Sequence, residues 1–153
     1  MNIFTEIALV KKEGFTVGFT ASTFDMLHAG HVAMLQECKI DCDLLIVGLL
    51  SDPTISRPDL KNKPIQSMFE RYLQLQGIEG VDMVIPFDTE EDLENMIKIL
   101  RPDVRFVGEE YEGKKHTGWD IKGTEIIYNK RRHNYGSTQL REKIYAQEIK
   151  KNK

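Results

Sequence analysis

The chain has 153 residues, 41% of them hydrophobic and 29% charged, with a formal net charge of −3. That length supports one cored domain and not two, and the composition is that of a globular chain. The acidic balance excludes a general nucleic-acid binder, no apolar run reaches membrane-spanning length, and the acid-containing start MNIFTEIALVKKEG is no signal peptide, so a cytoplasmic location is expected.

Residues 1–14 are expected as an amino-terminal extension, an added strand or an interface segment, ahead of a single domain over 15–153. Phe15 to Thr20 (FTVGFT) is short, β-branched and apolar and reads as the first strand. Ser22 to His31 (STFDMLHAGH) follows, and then Val32, Met34, Leu35 and Cys38 recur at helical intervals. His28 and His31 therefore crown a helix amino end, where unpaired N–H groups and the helix dipole favour an anion. Gly30 between them is expected to let a nucleotide phosphate approach the backbone. A shared metal is a poor reading of the pair, because zinc takes about three or four protein ligands and nothing nearby completes the set. Cys38 and Cys42, with no second cysteine pair, read as reduced thiols.

Asp43 to Leu50 (DLLIVGLL) has the continuous apolar character of a strand buried on both faces. Residues 51–64, with three prolines and several charges, form a loop. Ser67 and Glu70 make a capping box ahead of a Met68, Tyr72, Leu75 stripe. Val81 to Phe87 reads as a third strand, and Thr89 caps a helix with Leu93, Met96, Ile97 and Leu100 on one face, ended by Pro102. Val104 to Val107 and Glu125 to Tyr128 supply two more strands around a polar loop, GEEYEGKKHTGWD, and a last helix begins near Ser137. This alternation predicts an α/β, Rossmann-like, open and mostly parallel five-stranded sheet with helices on both faces. Its ligand site belongs at the switch point, where the turn after the first strand meets the turn after the fourth. Neither GxGxxG nor the P-loop is present, so the histidine segment is the phosphate-binding solution.

These motifs resemble the cytidylyltransferase-like (HxGH) nucleotidyltransferases, and within them most nearly the glycerol-3-phosphate cytidylyltransferases. Ser22 to His31 matches G-T-F-D-x-L-H-x-G-H with serine for the first glycine, and Lys61-Asn62-Lys63 with Glu70-Arg71 matches a Lys-x-Lys loop and the helix after it. VDMVIP, GEEYEGK and Arg131 to Thr138 are similar to Y-V-D-E-V-I-P, G-D-D-W-E-G-K and R-T-x-G-I-S-T-T. The lysine that the resemblance implies at the start of the helix after the third strand is replaced here by Glu90, Glu91 and Asp92.

The resemblance implies transfer of CMP from CTP to a phosphorylated small alcohol, most nearly glycerol 3-phosphate, giving CDP-glycerol and pyrophosphate. A phosphate monoester, with a second pKa of about 6, is already a nucleophile at neutral pH, so donors and charge suffice. Catalytic roles fall to His28, His31, Lys63 and Arg131, and nucleotide contacts to Thr23, Phe24, Asp25, Gly30, Glu109, Glu110, Arg132, Ser137 and Thr138. Lys61, Arg71 and Asp82 are expected to bind the acceptor, with Arg132 the alternative to Arg131. Mg²⁺ is expected to arrive on the triphosphate, held by phosphate oxygens and water. The resemblance also implies a homodimer. Two alternatives stay open: an adenylyltransferase of the same superfamily acting on a phosphopantetheine, mononucleotide or sugar phosphate, and a nucleotide-binding module without turnover.

Overall fold

The computed structural model describes residues 2–153. In chain order the elements are α1 (Ile3–Lys12), β1 (Val17–Ser22), α2 (Ala29–Ile40), β2 (Leu44–Leu50), α3 (Met68–Gln76), β3 (Met83–Phe87) and α4 (Glu90–Leu100). Then come β4 (Val104–Gly108), a short 3-10 turn at Glu109–Tyr111, β5 (Glu125–Asn129) and α5 (Ser137–Lys151). The strands form one sheet in the order β3-β2-β1-β4-β5, parallel throughout. The expected architecture is therefore the observed one.

Alternation along β2 shows why the sheet needs helices on both sides. Leu45, Val47 and Leu49 enter a core with Leu35 and Cys38 of α2 and Leu75 of α3. Ile46 and Leu50 enter the opposite core with Ile7 of α1 and Leu93, Ile97 and Leu100 of α4. Pro86 is tolerated within β3 because that strand is a sheet edge, where the missing N–H leaves no ladder bond unmade.

Within the amino-terminal extension Ile3–Lys12 form a helix, not the added strand that is one of the two expectations. Asn2 caps it by accepting from Thr5 N, and Ile7 is buried with Ile3 and Val10 packed beside it, an i, i+4, i+7 stripe. Gly14, at φ +87°, turns the chain out of the helix where a side chain would be strained. β1 begins two residues later than expected, since Phe15 is exposed and Val17 is the first core residue.

After β3 the chain passes over β2 and β1 to enter the sheet beside β1 as β4. The carboxyl ends of β1 and β4 thus diverge into different connections, which makes this the topological switch point of the sheet. Cys38 and Cys42 are free and buried, and burial pushes their thiols up to about 12 and about 11. Among the described residues no helix is long and apolar enough to cross a membrane.

Candidate active site

The turn from β1 to α2 is bent by two left-handed non-glycine residues, Phe24 and Met26, each at φ 49°. Such backbone costs about 1–3 kcal/mol per residue and persists only where surroundings enforce it. Here they do. Phe24 is buried, the Met26 N–H donates to Gln66 Oε1 at 2.8 Å, and the Thr23 carbonyl accepts from Arg71 Nη1 at 2.8 Å. Asp25, also buried, accepts from the N–H groups of Ile65 and Gln66 at 2.9 Å each and from Arg141 Nη2 at 2.9 Å. The turn is thereby fastened to the end of the 51–66 loop and to α5. Ser22, in place of the family's glycine, causes no distortion, because it is the last extended residue of β1.

That turn delivers His28 to the N-cap of α2 and His31 to its first turn, and the two form a reciprocal capping box. His28 Nδ1 accepts from Gly30 N at 3.1 Å, and His31 Nδ1 accepts from His28 N at 3.4 Å. An imidazole whose Nδ1 accepts an N–H carries its neutral-state proton on Nε2. Both rings therefore present Nε2–H donors, stacked with centroids 3.8 Å apart. Burial, reinforced by His28 and Arg131, pushes His31 down to about 4, against a smaller opposing pull from Asp25. His28 is lowered by burial, then by Arg131 and His133. Near neutral pH His31 is thus an uncharged donor.

The amino end of α5 meets this pair. Ser137 Oγ lies 3.3 Å from His28 Nε2, and the N-cap Gly136 offers α5 no side-chain cap. Two helix amino ends converge, each contributing positive potential. Residues 131–136 form a strap between β5 and α5 that lies on α2. A Cβ at Gly30 would stand 2.9 Å from the Tyr135 carbonyl oxygen and 3.0 Å from His133 Cε1. In this structure the space at Gly30 admits the strap, whereas the sequence suggested room for a phosphate. Arg131 Nη2 donates to that same Tyr135 carbonyl at 2.9 Å, and its backbone N–H donates to Glu109 Oε1 at 2.8 Å. Arg131, not Arg132, depresses both histidines electrostatically. Arg132, Glu110 and Thr138 are exposed.

Lys61 and Lys63 are exposed on the loop, and Lys63 precedes by two residues the Ile65 whose N–H Asp25 accepts. Arg71 and Asp82 are not brought to the histidines as acceptor ligands. Arg71 is 2% exposed, and its guanidinium donates from Nε to the Gln66 and Ser67 carbonyls, from Nη1 to those of Thr23 and Leu50 and from Nη2 to that of Ser51, so four of its five N–H groups are held by backbone. Asp82 accepts from Leu45 N at 2.7 Å and pairs with Lys39 at 2.6 Å, at the amino end of β2. Leu45 is five residues before Leu50, about 17 Å along a strand from the end where the site lies. Sequence reasoning missed Arg141, one helical turn beyond Ser137 and so on the same face of α5, and His133, hidden in a strap with no periodicity.

A model of the cytidylyltransferase-like family matches residues 19–151. The bifunctional protein HldE of Wolinella succinogenes is 44% identical over 118 residues, covering 76% of this chain and 25% of that protein. HldE of Campylobacter fetus subsp. fetus is 40% identical over 113 residues, 74% and 24% of the two chains. The chain thus spans about a quarter of the length of these relatives. Among solved structures, a lipopolysaccharide core biosynthesis protein from Thermoplasma volcanium is similar with TM-score 0.55 at 22% identity, covering 87% of this chain and 88% of that one. Pantothenate synthetase from Thermus thermophilus is similar with TM-score 0.61 at 16% identity, covering 94% and 69%. At those identities the two structures speak for the fold alone. The HldE relatives overturn the expected nearness to glycerol-3-phosphate cytidylyltransferases, and with it CTP as donor, glycerol 3-phosphate as acceptor and a cytidylyltransferase activity.

Proposed function

Because the chain belongs to the cytidylyltransferase-like family, we propose that it is a nucleotidyltransferase that moves AMP from ATP to a phosphorylated sugar and releases pyrophosphate. The likeness to HldE proteins supports ATP over CTP and a sugar phosphate over glycerol 3-phosphate. The acidic start of α4 favours the same conclusion. Glu90 there is engaged by Thr117 Oγ1 and lies 3.7 Å from Arg57 Nη2, so it ties two loops together and offers no cation to a glycerol phosphate.

The observation that carries the reading is the tautomer of the histidine pair. Two neutral Nε2–H donors, held by backbone N–H groups at the meeting point of two helix amino ends, suit phosphate oxygens that gain charge as the reaction proceeds. A phosphate oxygen of the acceptor attacks the α-phosphorus, the bond to the bridging β-oxygen breaks, and pyrophosphate leaves with that electron pair. His28 and His31 donate to the triphosphate, Lys63 and Arg131 neutralise it, and Lys61 lies toward the acceptor or the triphosphate. Arg131 reaches phosphate by giving up the Tyr135 carbonyl. A Mg²⁺ ion would be held by the nucleotide's phosphate oxygens and water and would supply charge screening there, since the nearby carboxylate of Asp25 already accepts three hydrogen bonds.

Pyrophosphate release measured with Mg²⁺, each of ATP, CTP, GTP and UTP, and a panel of sugar 1-phosphates tests this directly. Turnover is expected with ATP and one class of sugar phosphate. Turnover with CTP alone, or nucleotide binding without turnover across an exhaustive acceptor panel, would sink the reading.

A further inference from the structure

Besides the motif pair, a third imidazole approaches α2: that of His133, which faces His28 across the missing Cβ of Gly30. His28 Cε1 and His133 Cε1 each stand 3.0 Å from that position, so the two ring carbons are no more than 6.0 Å apart. His133 is also held in the manner of the motif histidines. Its Nδ1 accepts from Tyr135 N at 3.2 Å, and its ring stacks on Tyr135 with centroids 4.8 Å apart and planes 20° apart.

The shared pattern has a chemical consequence. In His28, His31 and His133 alike, Nδ1 is taken by a backbone N–H, so the neutral-state ring proton sits on Nε2. A cluster of Nε2–H donors cannot ligate a metal through those nitrogens without losing the protons, but it fits an anion. The Nε2 of His133 is one bond from the Cε1 that approaches Gly30, in the first turn of α2. Hydrogen bonds of about 2.8 Å to two oxygens of one phosphate, or to adjacent phosphates, span the separation from His28. Arg131, on the same strap, supplies a fixed positive charge beside these donors.

We propose that His133 is a third phosphate-binding imidazole, donating from Nε2 to the β- and γ-phosphates of the bound triphosphate, which become the pyrophosphate product. This rests on the reading of His28 and His31 as triphosphate donors. Calorimetric titration of the full chain with Mg-ATP, Mg-pyrophosphate and AMP, for wild type, His133→Ala and His133→Gln, tests it. Glutamine places an N–H near the position of Nε2 and so keeps the donor. Loss of a hydrogen bond to a charged group predicts affinity for ATP and pyrophosphate roughly tenfold or more weaker in His133→Ala, unchanged AMP affinity, and substantial recovery in His133→Gln. Equal weakening for all three ligands, or no recovery by glutamine, would make His133 a mere prop of the strap and overturn the assignment. Unchanged ATP and pyrophosphate binding in His133→Ala would overturn it too. Failure of wild type to bind any nucleoside triphosphate would instead strike the nucleotidyltransferase reading itself.

Discussion

His31 joins a proposed phosphate-donor role and a contribution to stability in one ring. Because burial holds it at about 4, below the ordinary value of about 6.5, the unfolded chain binds more protons than the folded one between those values. Stability contributed by keeping this ring neutral is therefore fully present above about pH 6.5 and is lost as the pH falls toward 4, by up to about 3 kcal/mol. Urea denaturation from pH 7.5 to 4 is expected to show that decline, and His31→Ala to flatten it. Function follows the opposite bookkeeping: the neutral donor persists across the whole range above about pH 5, so turnover should not break near pH 6.5 on account of His31. Removing the ring with His31→Ala should cost roughly hundredfold in kcat, by analogy with loss of an oxyanion donor.

At the scale of elements, Arg71 of α3 is the fastener between the carboxyl end of the sheet and the site. Its donors reach carbonyls on the β1–α2 turn, the end of β2 and the start of α3. Lysine has neither the planar fork nor enough donors for those positions, and buried carbonyls left unpaired cost about 1–3 kcal/mol each. Arg71→Lys is expected to lower unfolding free energy by about 3 kcal/mol or more, measured by denaturant titration, and to loosen the turn that holds His28. A sequence shows an E-R pair at the start of a helix and cannot tell a substrate ligand from such a fastener. The carbonyls that decide the matter belong to Thr23, Leu50 and Ser51, remote in the chain and invisible as a pattern. The capping box at Ser67 and the Thr89 cap were legible for the contrary reason, since each is complete within four consecutive residues.

For the molecule as a whole, α5 is the element most dependent on the site. None of its residues is buried, and it docks through Arg141 on Asp25 and Ser137 on His28. A triphosphate bridging α2, the strap and the start of α5 should therefore stabilise the helix along with the fold. At a hundred times its Kd, ATP contributes about 2.7 kcal/mol, or a rise of about 5–10 °C in Tm for a chain of this size. Hydrogen exchange should slow in α5 more than in α3. A Tm shift without added protection in α5 would place the ligand elsewhere.

The sequence by itself determined the parallel α/β sheet, its switch point, and the placing of two histidines at a helix amino end, because periodicity, capping and strand character are local and survive in the order of residues. The apolar stripe of Ile3, Ile7 and Val10 in α1 is local in the same way. Only the tertiary structure decided which charged side chains are tied to protein groups and which are left exposed. Asp25 and Arg71 turn inward, Asp82 lies at the far end of β2, and Arg131 and His133 are carried over Gly30 by a strap without repeat or period. A side chain's role follows from the partners that folding brings to it, and here those partners are backbone groups from distant segments, identical in every residue and therefore unwritten in any one of them.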